Sequence, residues 1–536
     1  MFSFPKIIRP LGAYTLYGLA WKSSEGKQFA IALDSLQGNL LKIDPETDGA
    51  TVLNPYATRQ FIDGTGIAIS GETLWLAKDN CIYYCNFEDF DLQPFLELPE
   101  TVEGIAVSDG AVYASSKQAR KIFVFGRATR GLIRAIPAPG IGQSALALRG
   151  EELWVSDRTE ETVYCLDAKT GDIKSRALTP FIDPTGLAFL GNDLYVLYTG
   201  LENYIRDNPN EDNPYSVQVR DRTFIHQLKL THVKGKPSYT LSNGFLVEMV
   251  YLEEISQNDP QELVHNLDWE IALPCHTDRQ KVLSVQSVGL PFVEKTSGDQ
   301  RVAVFKLDKL RADESRLFGW RAMLELRGIK YELDPAEVES IGEIEPAIQA
   351  EYLYPDGDLA MGDPLVIAAA KEAVGTETNI LRKMLAIREY VYDKLSYRLQ
   401  TSFGSPEVVL ARGNGSCGEY VRVLLALARL NGIACRDVGR YKCPPFAELH
   451  NVPLYPEYNH VWIEFYIPGI GWLPMESNPD DTGERPYPKR FFMGLPWYHV
   501  EIGKGITFET TNNKNFSIGD ASINHMRFKI LGELDS

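Results

Sequence analysis

The chain has 536 residues, and at roughly 150 residues per domain it is long enough for three or four domains. Hydrophobic residues make up 44% of the sequence and charged residues 24%, which excludes wholesale disorder, a collagen-like repeat and a coiled coil. The formal net charge is −18, because 72 acidic residues outnumber 54 basic ones. A field of that sign repels phosphate groups, so we expect neither nucleic acid nor a membrane as a partner.

The seven cysteines are few for this length, and an odd number cannot all pair. This pattern favours free thiols and a reducing compartment over a disulfide framework. The segment MFSFPKIIRPLGAY lacks the features of a signal peptide, and no apolar stretch approaches the roughly 18 residues of a membrane-spanning helix. We therefore expect a cytoplasmic protein.

The first part of the chain contains an internal repeat. The phrases GIAISGETLWLA, GIAVSDGAVYAS and GLAFLGNDLYVL begin at Gly66, Gly104 and Gly186, and looser copies begin at Gly18 and Ala145. Each copy reads as an alternating strand, a Gly-containing turn and a second strand, with a period of about 40 residues. Such repeats are typical of β-propeller blades, which are stable only beside their neighbours. We predict an all-β propeller of five or six blades over residues 1–235.

A polar insertion, GLENYIRDNPNEDNPYSVQVRD, interrupts the last repeat. Its acidic residues Asp207, Glu211 and Asp212 lack the alternating spacing of an EF-hand calcium loop, so we predict a surface loop. Cys81 and Cys85 have no second pair nearby and do not resemble a zinc site. We predict no metal site and no cofactor.

From about Tyr239 the pattern changes to longer alternating strands, such as FLVEMVYLEE and RAMLELRGIKYEL. Turn residues separate these strands and no long helix is evident, which predicts a β-sandwich over residues 236–350. Helical patterns begin near Glu351, and apolar residues recur at helical spacing through TNILRKMLAIREYVYDKLSY. A further helix and several strands follow, which predicts an α+β domain over residues 351–536.

The segment ARGNGSCGEYVRVLLALARLNGIACRDVGRY contains a candidate nucleophile. Turn and cap residues end at Ser416, Cys417 follows directly, and a strong helix pattern continues to Leu430. At the N-terminus of a helix, unpaired N–H groups and the macrodipole favour a thiolate. The alternative is that Cys417 is a small buried hydrophobic residue, as intracellular cysteines usually are. The helix pattern alone leaves both interpretations open.

The segment EYNHVWIEFYIPGIGWLPMESN predicts a hairpin, in which residues from His460 to Tyr466 alternate and Trp472 begins the return strand. A histidine on a strand that faces a cysteine at a helix N-terminus is the Cys–His arrangement of thiol catalysis. The imidazole then needs an acceptor that fixes its tautomer. Glu476 is the first candidate, since the hairpin would bring it beside His460, and Asn478 is the alternative third member.

Two tryptophans of the same hairpin are candidates for the substrate site. Trp462 and Trp472 could shield a reaction intermediate or line a substrate groove. The alternative is ordinary packing of the hairpin on the core, which we favour for Trp472.

Together these segments resemble the transglutaminase-like cysteine protease superfamily, the papain-related fold of transglutaminases, peptide N-glycanases and many microbial peptidase-like proteins. The phrases GNGSCGEY, NHVWIEFY and GIGWLPMESN stand in the family's order: Cys, then His within an H-x-W phrase, then an acidic residue after G-W-x-P-x. The resemblance covers about residues 240–510 and implies a nucleophile at Cys417, an imidazole at His460 and a third member at Glu476. Many members have Asp at the third position, so Glu476 departs from the pattern.

The resemblance implies that a Cys417 thiolate, paired with the His460 imidazolium, attacks a carboxamide carbonyl and forms a thioester. Backbone N–H groups at the helix start, including that of Cys417, would hold the oxyanion. Water as acceptor makes the protein a peptidase or amidase, and a lysine amine makes it a transglutaminase. We favour hydrolysis, because no calcium site is recognisable in the sequence.

Two functions remain open at this point. The first is a thiol amidohydrolase, peptidase or acyltransferase that acts on a protein or peptide substrate and uses the propeller for recognition. The second is a non-catalytic protein-binding scaffold, in which the propeller binds a protein partner and the transglutaminase-like domain keeps only its fold. An enzyme site inside the propeller is a third possibility, which would need carboxylates such as Asp63, Asp157 and Asp183 to converge.

Overall fold

The structure is a computed structural model that describes the chain except residues 1, 4–6, 207–215, 257–263, 298–299, 311–314, 340–341, 401–402, 447–448, 515 and 536. The predicted loop with Asp207, Glu211 and Asp212 therefore lies outside the described residues. The chain forms two compact units. The repeat unit is Pro5–Thr231, and the second unit, which we call the C-terminal unit, combines Met1–Phe4 with His232–Ser536.

The chain begins with the short strand β1 (Phe2–Ser3), which belongs to the C-terminal unit. The repeat unit follows with one short helix and strands in five groups: β2 (Leu16–Ser24), β3 (Lys27–Asp34), β4 (Asn39–Ile43) and β5 (Ala50–Val52); α1 (Thr58–Phe61); β6 (Gly64–Ser70), β7 (Thr73–Lys78), β8 (Cys81–Asn86) and β9 (Gln93–Glu97); β10 (Gly104–Val107), β11 (Ala111–Ser116), β12 (Lys121–Gly126) and β13 (Leu132–Pro137); β14 (Gln143–Arg149), β15 (Glu152–Asp157), β16 (Thr162–Asp167) and β17 (Ile173–Leu178); β18 (Pro184–Leu190), β19 (Asp193–Tyr198), β20 (Leu201–Arg206), β21 (Ser216–Asp221) and β22 (Phe224–Leu228).

Each of the first four groups is a four-stranded antiparallel sheet in simple chain order, and the fifth sheet contains β18, β19 and β22. The first strands of the five sheets contact one another in the order β2, β6, β10, β14 and β18, and β18 also contacts β2. Glycine permits this close approach, since a Cβ on Gly104 would lie 2.9 Å from the Cα of Ala145. Neighbouring sheets share apolar cores, as where Trp75 packs with Ile105 and Val112. The strand–turn–strand repeats are present, and the propeller and its number of blades stay predictions.

The C-terminal unit continues with these elements: β23 (Thr231–Val233), β24 (Ser238–Ser256), β25 (Val264–Ala272), β26 (Gln280–Val288), β27 (Phe292–Ser297), β28 (Gln300–Leu310), β29 (Ser315–Glu332), α2 (Pro346–Tyr352), α3 (Pro364–Val374), α4 (Ile380–Lys394), β30 (Ser396–Tyr397), α5 (Pro406–Arg412), β31 (Asn414–Gly415), α6 (Cys417–Leu430), β32 (Cys435–Lys442), β33 (His460–Ile467), β34 (Gly471–Met475), β35 (Gly494–Leu495), β36 (His499–Ile502), β37 (Glu509–Thr511), α7 (Ile518–Ala521) and β38 (Ser522–Leu534). Short 3₁₀ helices lie at Pro335–Val338 and Gly357–Leu359.

Two sheets contain all six strands between residues 238 and 332. One has the strand order β1-β38-β24-β29-β26, with β23 and β35 attached, and the other has the order β27-β28-β25-β37. Trp269 and Phe305 of the second sheet contact Phe318 of the first, with ring centroids 5.3 and 4.9 Å apart. Strands β37 and β38, which the sequence assigns to the following domain, pair into these sheets. The predicted boundaries at residues 236–350 and 351–536 stay predictions.

Helices α3, α4 and α6 pack together, and α6 also contacts strands β32 and β33 of a four-stranded sheet with the order β34-β33-β32-β36. Leu424 and Leu427 of α6 are in the same buried core as Phe465 and Met475 of the hairpin β33–β34. Helix α3 starts at Pro364, because the Asp363 side chain caps it and Pro fits the first helical turn. No helix in the described part of the chain is both long and apolar enough to cross a membrane.

Candidate active site

The start of helix α6 is held by a buried carboxylate. Glu419 accepts hydrogen bonds from the backbone N–H groups of Ser416 (2.8 Å) and Gly404 (2.7 Å), and it forms an ion pair with Arg412 (2.8 Å). The residues Ser416 to Glu419 form the S-x-x-E pattern of a capping box, of which the Glu half is formed here. Burial opposes ionisation of Glu419, but these donors hold its pKa below the ordinary value. The helix therefore begins at a fixed position, with Cys417 as its first residue.

The environment of Cys417 favours its thiolate. Burial by itself would raise the pKa of the thiol, but the interaction with His460 and the backbone N–H of Val461 lower it below the ordinary value. Cys435 and Cys85 show the opposite behaviour, since burial raises the pKa of each to about 12. A lowered thiol pKa beside an imidazole is the property of reactive cysteines rather than of structural ones.

His460 is the first residue of β33 and is 2% exposed. Its Nε2 atom lies 2.8 and 2.9 Å from the two carboxylate oxygens of Glu476, which leaves Nδ1 for the thiol of Cys417. Nδ1 has no hydrogen bond of normal geometry within the described part of the chain, and catalytic hydrogen bonds are often long or poorly aligned without substrate. Burial opposes protonation of His460, but the charge of Glu476 and the thiol raise its pKa.

Glu476 takes the position beside His460, and Asn478 does not. The antiparallel register pairs Ile463 with Met475, so Glu476 lies one residue beyond the paired strands and diagonally from His460. A diagonal neighbour lies farther away than a directly opposed residue, and the long Glu side chain spans this distance. Asn478 instead accepts a hydrogen bond from the hydroxyl of Ser477 at 3.0 Å.

A second histidine, His499, also binds Glu476. It begins strand β36, is 1% exposed, and donates from Nε2 to Oε1 of Glu476. Burial lowers the pKa of His499 to about 3, so its imidazole is neutral at physiological pH. The sequence contains no local pattern that connects His499 with Glu476.

The two candidate tryptophans pack within the protein and do not line the groove beside Cys417. Trp462 is fully buried, and its ring lies 6.2 Å from that of His460 and 4.9 Å from that of His499. Trp472 packs edge-on against Tyr352 at 5.0 Å. The packing alternative therefore describes the positions of both tryptophans.

Cys417 lies in the wall of a groove of about 650 Å³. Its rim includes four apolar side chains that are between 43% and 68% exposed, namely Tyr397, Leu399, Phe403 and Tyr458. A Cβ on Gly418 would lie 2.6 Å from the Phe403 ring, so a side chain there would displace this exposed ring. A polypeptide substrate could reach the sulfur through this groove.

His460, Glu476 and His499 offer donor atoms within 4.8 Å of one another, and two histidines with a carboxylate can bind zinc. Here both Nε2 atoms are hydrogen-bonded to the carboxylate, and none of the three residues lines the groove beside Cys417. The arrangement is a hydrogen-bonded cluster, and we assign no metal to it.

Two of the three carboxylates considered within the repeat unit have local partners. Asp157 accepts hydrogen bonds from the backbone N–H groups of Gly142 and Glu160, and Asp183 forms an ion pair with Arg158 at 2.8 Å. No group of ligating residues that includes Asp63, Asp157 or Asp183 occurs among the described residues. Nothing in their positions supports an enzyme site there.

Residues 367–477 match the model of the transglutaminase-like superfamily, and this match includes Cys417, His460 and Glu476. No curated protein matches the chain. Among solved structures, a putative cysteine protease from Cytophaga hutchinsonii is similar at 16% identity over 56% of this chain and 93% of that one, with a TM-score of 0.40. Glutaminyl cyclase from Myxococcus xanthus is similar at 11% identity over 42% of this chain and 97% of that one, with a TM-score of 0.30. These TM-scores are too low for the likenesses to bear on function.

Proposed function

We propose that the protein is a thiol-dependent amidohydrolase or peptidase in which Cys417, His460 and Glu476 act as a catalytic triad. The observation that carries the proposal is the buried imidazole of His460, which is hydrogen-bonded through Nε2 to the Glu476 carboxylate and lowers the pKa of a thiol at a helix N-terminus in the wall of a groove. The pKa directions of the three groups agree with a thiolate–imidazolium pair held by a charged carboxylate.

In the first half of the reaction, the Cys417 thiolate attacks the carbonyl carbon of an amide, and the C=O electron pair moves to oxygen. The N–H of Cys417 is one of the first donors of α6 and has no carbonyl one turn earlier, so it can hold this oxyanion. The C–N bond then breaks, and His460 gives its proton to the leaving amine. The products are a free amine and a thioester on Cys417.

In the second half, neutral His460 takes a proton from water, and the resulting hydroxide attacks the thioester. The C–S bond breaks, and the thiolate and imidazolium are restored together with a carboxylic acid. A lysine amine in place of water would instead give a transglutaminase. The exposed rim of the groove admits water to the thioester, which supports hydrolysis.

The repeat unit provides recognition of a protein or peptide in this proposal. Its five sheets are the blades of a propeller, and the contacts of their first strands, with β18 returning to β2, support a closed ring of five. The sheet that contains β24 and β29 and the sheet that contains β25 and β28 form the sandwich, as the ring contacts of Trp269 and Phe305 with Phe318 support. All seven cysteines are free, which supports work in a reducing compartment such as the cytoplasm.

The experiment compares the wild-type protein with Cys417→Ala and with Cys81→Ser, which removes a partly exposed thiol of the repeat unit. Each protein is incubated with a peptide library and a biotin-linked primary amine, and new termini, deamidated side chains and amine adducts are counted by mass spectrometry. We expect hydrolysis by the wild type and Cys81→Ser, and a rate at least about 10³-fold lower in Cys417→Ala.

If the wild type formed adducts with the amine and did not cleave peptides, the protein would be a transglutaminase. If the wild type and Cys417→Ala gave the same products at the same rates, the enzyme proposal would be wrong. The non-catalytic protein-binding scaffold would then be the remaining function.

A further inference from the structure

The third member of the proposed triad is itself held by a residue outside the triad. Oε1 of Glu476 accepts from Nε2 of His499, and Oε2 accepts from the backbone N–H of Ser477 at 3.0 Å. His460 Nε2 lies between the two oxygens, at 2.9 and 2.8 Å. Each carboxylate oxygen therefore has a donor of its own in addition to the one that the oxygens share, which fixes the plane of the carboxylate.

We infer that His499 is a positioning residue that holds the Glu476 carboxylate in the orientation required by His460. This inference rests on the proposed function, and it explains how the chain uses Glu where many proteins with the same arrangement have Asp. A Glu side chain has one more rotatable bond than Asp, so its carboxylate needs one more restraint to be equally well ordered.

A neutral donor suits this role better than a cation would. A lysine or arginine at the same place would cancel the carboxylate charge, whereas neutral His499 stabilises the charge and leaves it to act on His460. Burial keeps His499 neutral, and the charged or titratable groups that act on it are Glu476, Lys442 and His460. Its ring is fixed by Trp462 at 4.9 Å and Tyr498 at 5.0 Å.

His499 does not line the groove that contains Cys417, so its effect must pass through Glu476 and His460. The thiolate is stabilised by the imidazolium, and the imidazolium by the carboxylate. Loss of one hydrogen bond to a charged group corresponds to about a tenfold change in an equilibrium constant. When the N–H donor of His499 is removed, the pH below which Cys417 loses its reactivity should therefore rise by about one unit.

The experiment measures the rate at which iodoacetamide alkylates Cys417 in the full-length protein between pH 4.5 and 9, by mass spectrometry of the Cys417 peptide. We compare the wild type with His499→Phe, which keeps an aromatic ring but has no donor, and with His499→Gln, which restores an N–H near the position of Nε2. We expect a rate about tenfold lower at pH 5.5 in His499→Phe, and a rate within about threefold of wild type in His499→Gln. Turnover of an amide substrate should fall in His499→Phe while KM is unchanged.

A His499→Phe profile that coincides with the wild-type profile would overturn the positioning role and leave the triad untouched. A wild-type profile with the pKa of an ordinary thiol would instead overturn the proposed function. Histidine labelled with ¹⁵N gives a test that needs no variant, since we expect His499 to be neutral with its proton on Nε2 between pH 5 and 8. A protonated His499, or a proton on Nδ1, in that range would overturn the inference even if His499→Phe failed to fold.

Discussion

At the scale of single residues, the charge of Glu476 affects the pKa of His460 and, through His460, that of Cys417. Glu476 is fully buried, and burial opposes its ionisation, but the imidazoles of His460 and His499 hold its pKa well below the ordinary value. The carboxylate charge in turn raises the pKa of His460, and the imidazolium lowers that of Cys417. Both shifts favour the thiolate–imidazolium pair, which is lost when the thiolate gains a proton at low pH or the imidazolium loses one at high pH.

Glu476→Gln keeps the shape of this side chain but removes its charge. We expect the pKa of His460 to fall and that of Cys417 to rise, with amide turnover reduced by about 10²–10⁴-fold. The pH profile of Cys417 alkylation and the turnover of an amide substrate are the measurements. Asn478→Ala is the matched control and should leave both unchanged, because Asn478 binds Ser477 and not His460. If amide turnover fell in Asn478→Ala and not in Glu476→Gln, the orienting role would belong to Asn478.

At the scale of elements, strands β24 and β37 bring two carboxyl groups together in the interior of the C-terminal unit. Glu253 on β24 is 1% exposed and is hydrogen-bonded to Glu509 on β37, while Tyr251 and Trp269 donate to this pair. Burial and the charge of Glu253 raise the pKa of Glu509 to about 8. One proton is therefore retained between the two carboxyl groups at neutral pH.

A carboxyl group whose folded pKa is raised stabilises the fold fully below its unfolded pKa, and this stabilisation is lost as pH rises through the folded value. For Glu509 the loss extends from its ordinary pKa of 4.5 to about 8. We expect the free energy of unfolding, measured by urea denaturation, to decrease by at least about 1 kcal/mol between pH 6 and 9. Glu509→Gln should remove most of this decrease.

Glu270→Gln is the control for this prediction, because Glu270 lies on β25 beside β37 but forms its ion pair with Lys295 near the surface. The free energy of unfolding of Glu270→Gln should depend on pH as that of the wild type does. If the free energy of unfolding of Glu509→Gln decreased with pH as much as that of the wild type, the Glu253–Glu509 pair would not hold a proton.

At the scale of the whole molecule, the chain leaves the C-terminal unit after Phe4 and re-enters it at His232. The thiol, both imidazoles and the carboxylate of the candidate site lie between residues 417 and 499, and the groove beside them is lined by residues 356 to 508. All of these groups belong to the C-terminal unit, which has a buried core of its own. The proposed chemistry and the proposed recognition role can therefore be tested separately by deletion.

A protein in which a short flexible linker replaces residues 5–231 tests this separation. We expect the alkylation rate of Cys417 at pH 6 to stay within about twofold of the wild-type rate, since a unit with its own core can fold alone. Binding of protein substrates, measured by KM, should weaken while cleavage of short peptides is retained. Unchanged KM values for all substrates would remove the recognition role from the repeat unit, and a slower alkylation would mean that this unit shapes the site.

The features that the sequence determined by itself are local ones. Helix α6 begins at Cys417 because cap and turn residues precede a helical apolar pattern, and the hairpin that carries His460 and Glu476 follows from alternation around a short turn. The strand repeats before residue 200 can be predicted from the sequence for the same reason, since every repeat has its own turn residues. Short-range periodicity and capping are properties of neighbouring residues, so a single sequence displays them.

Only the tertiary structure decided which distant residues meet. His499 reaches Glu476 because β36 pairs with β32, and Glu509 reaches Glu253 because β37 pairs into the sheet of β25. The choice of Glu476 over Asn478 likewise depends on where the pairing of β33 with β34 ends. Such contacts arise from long-range strand pairing and from the burial of polar groups against one another, and neither leaves a pattern in the residues on either side.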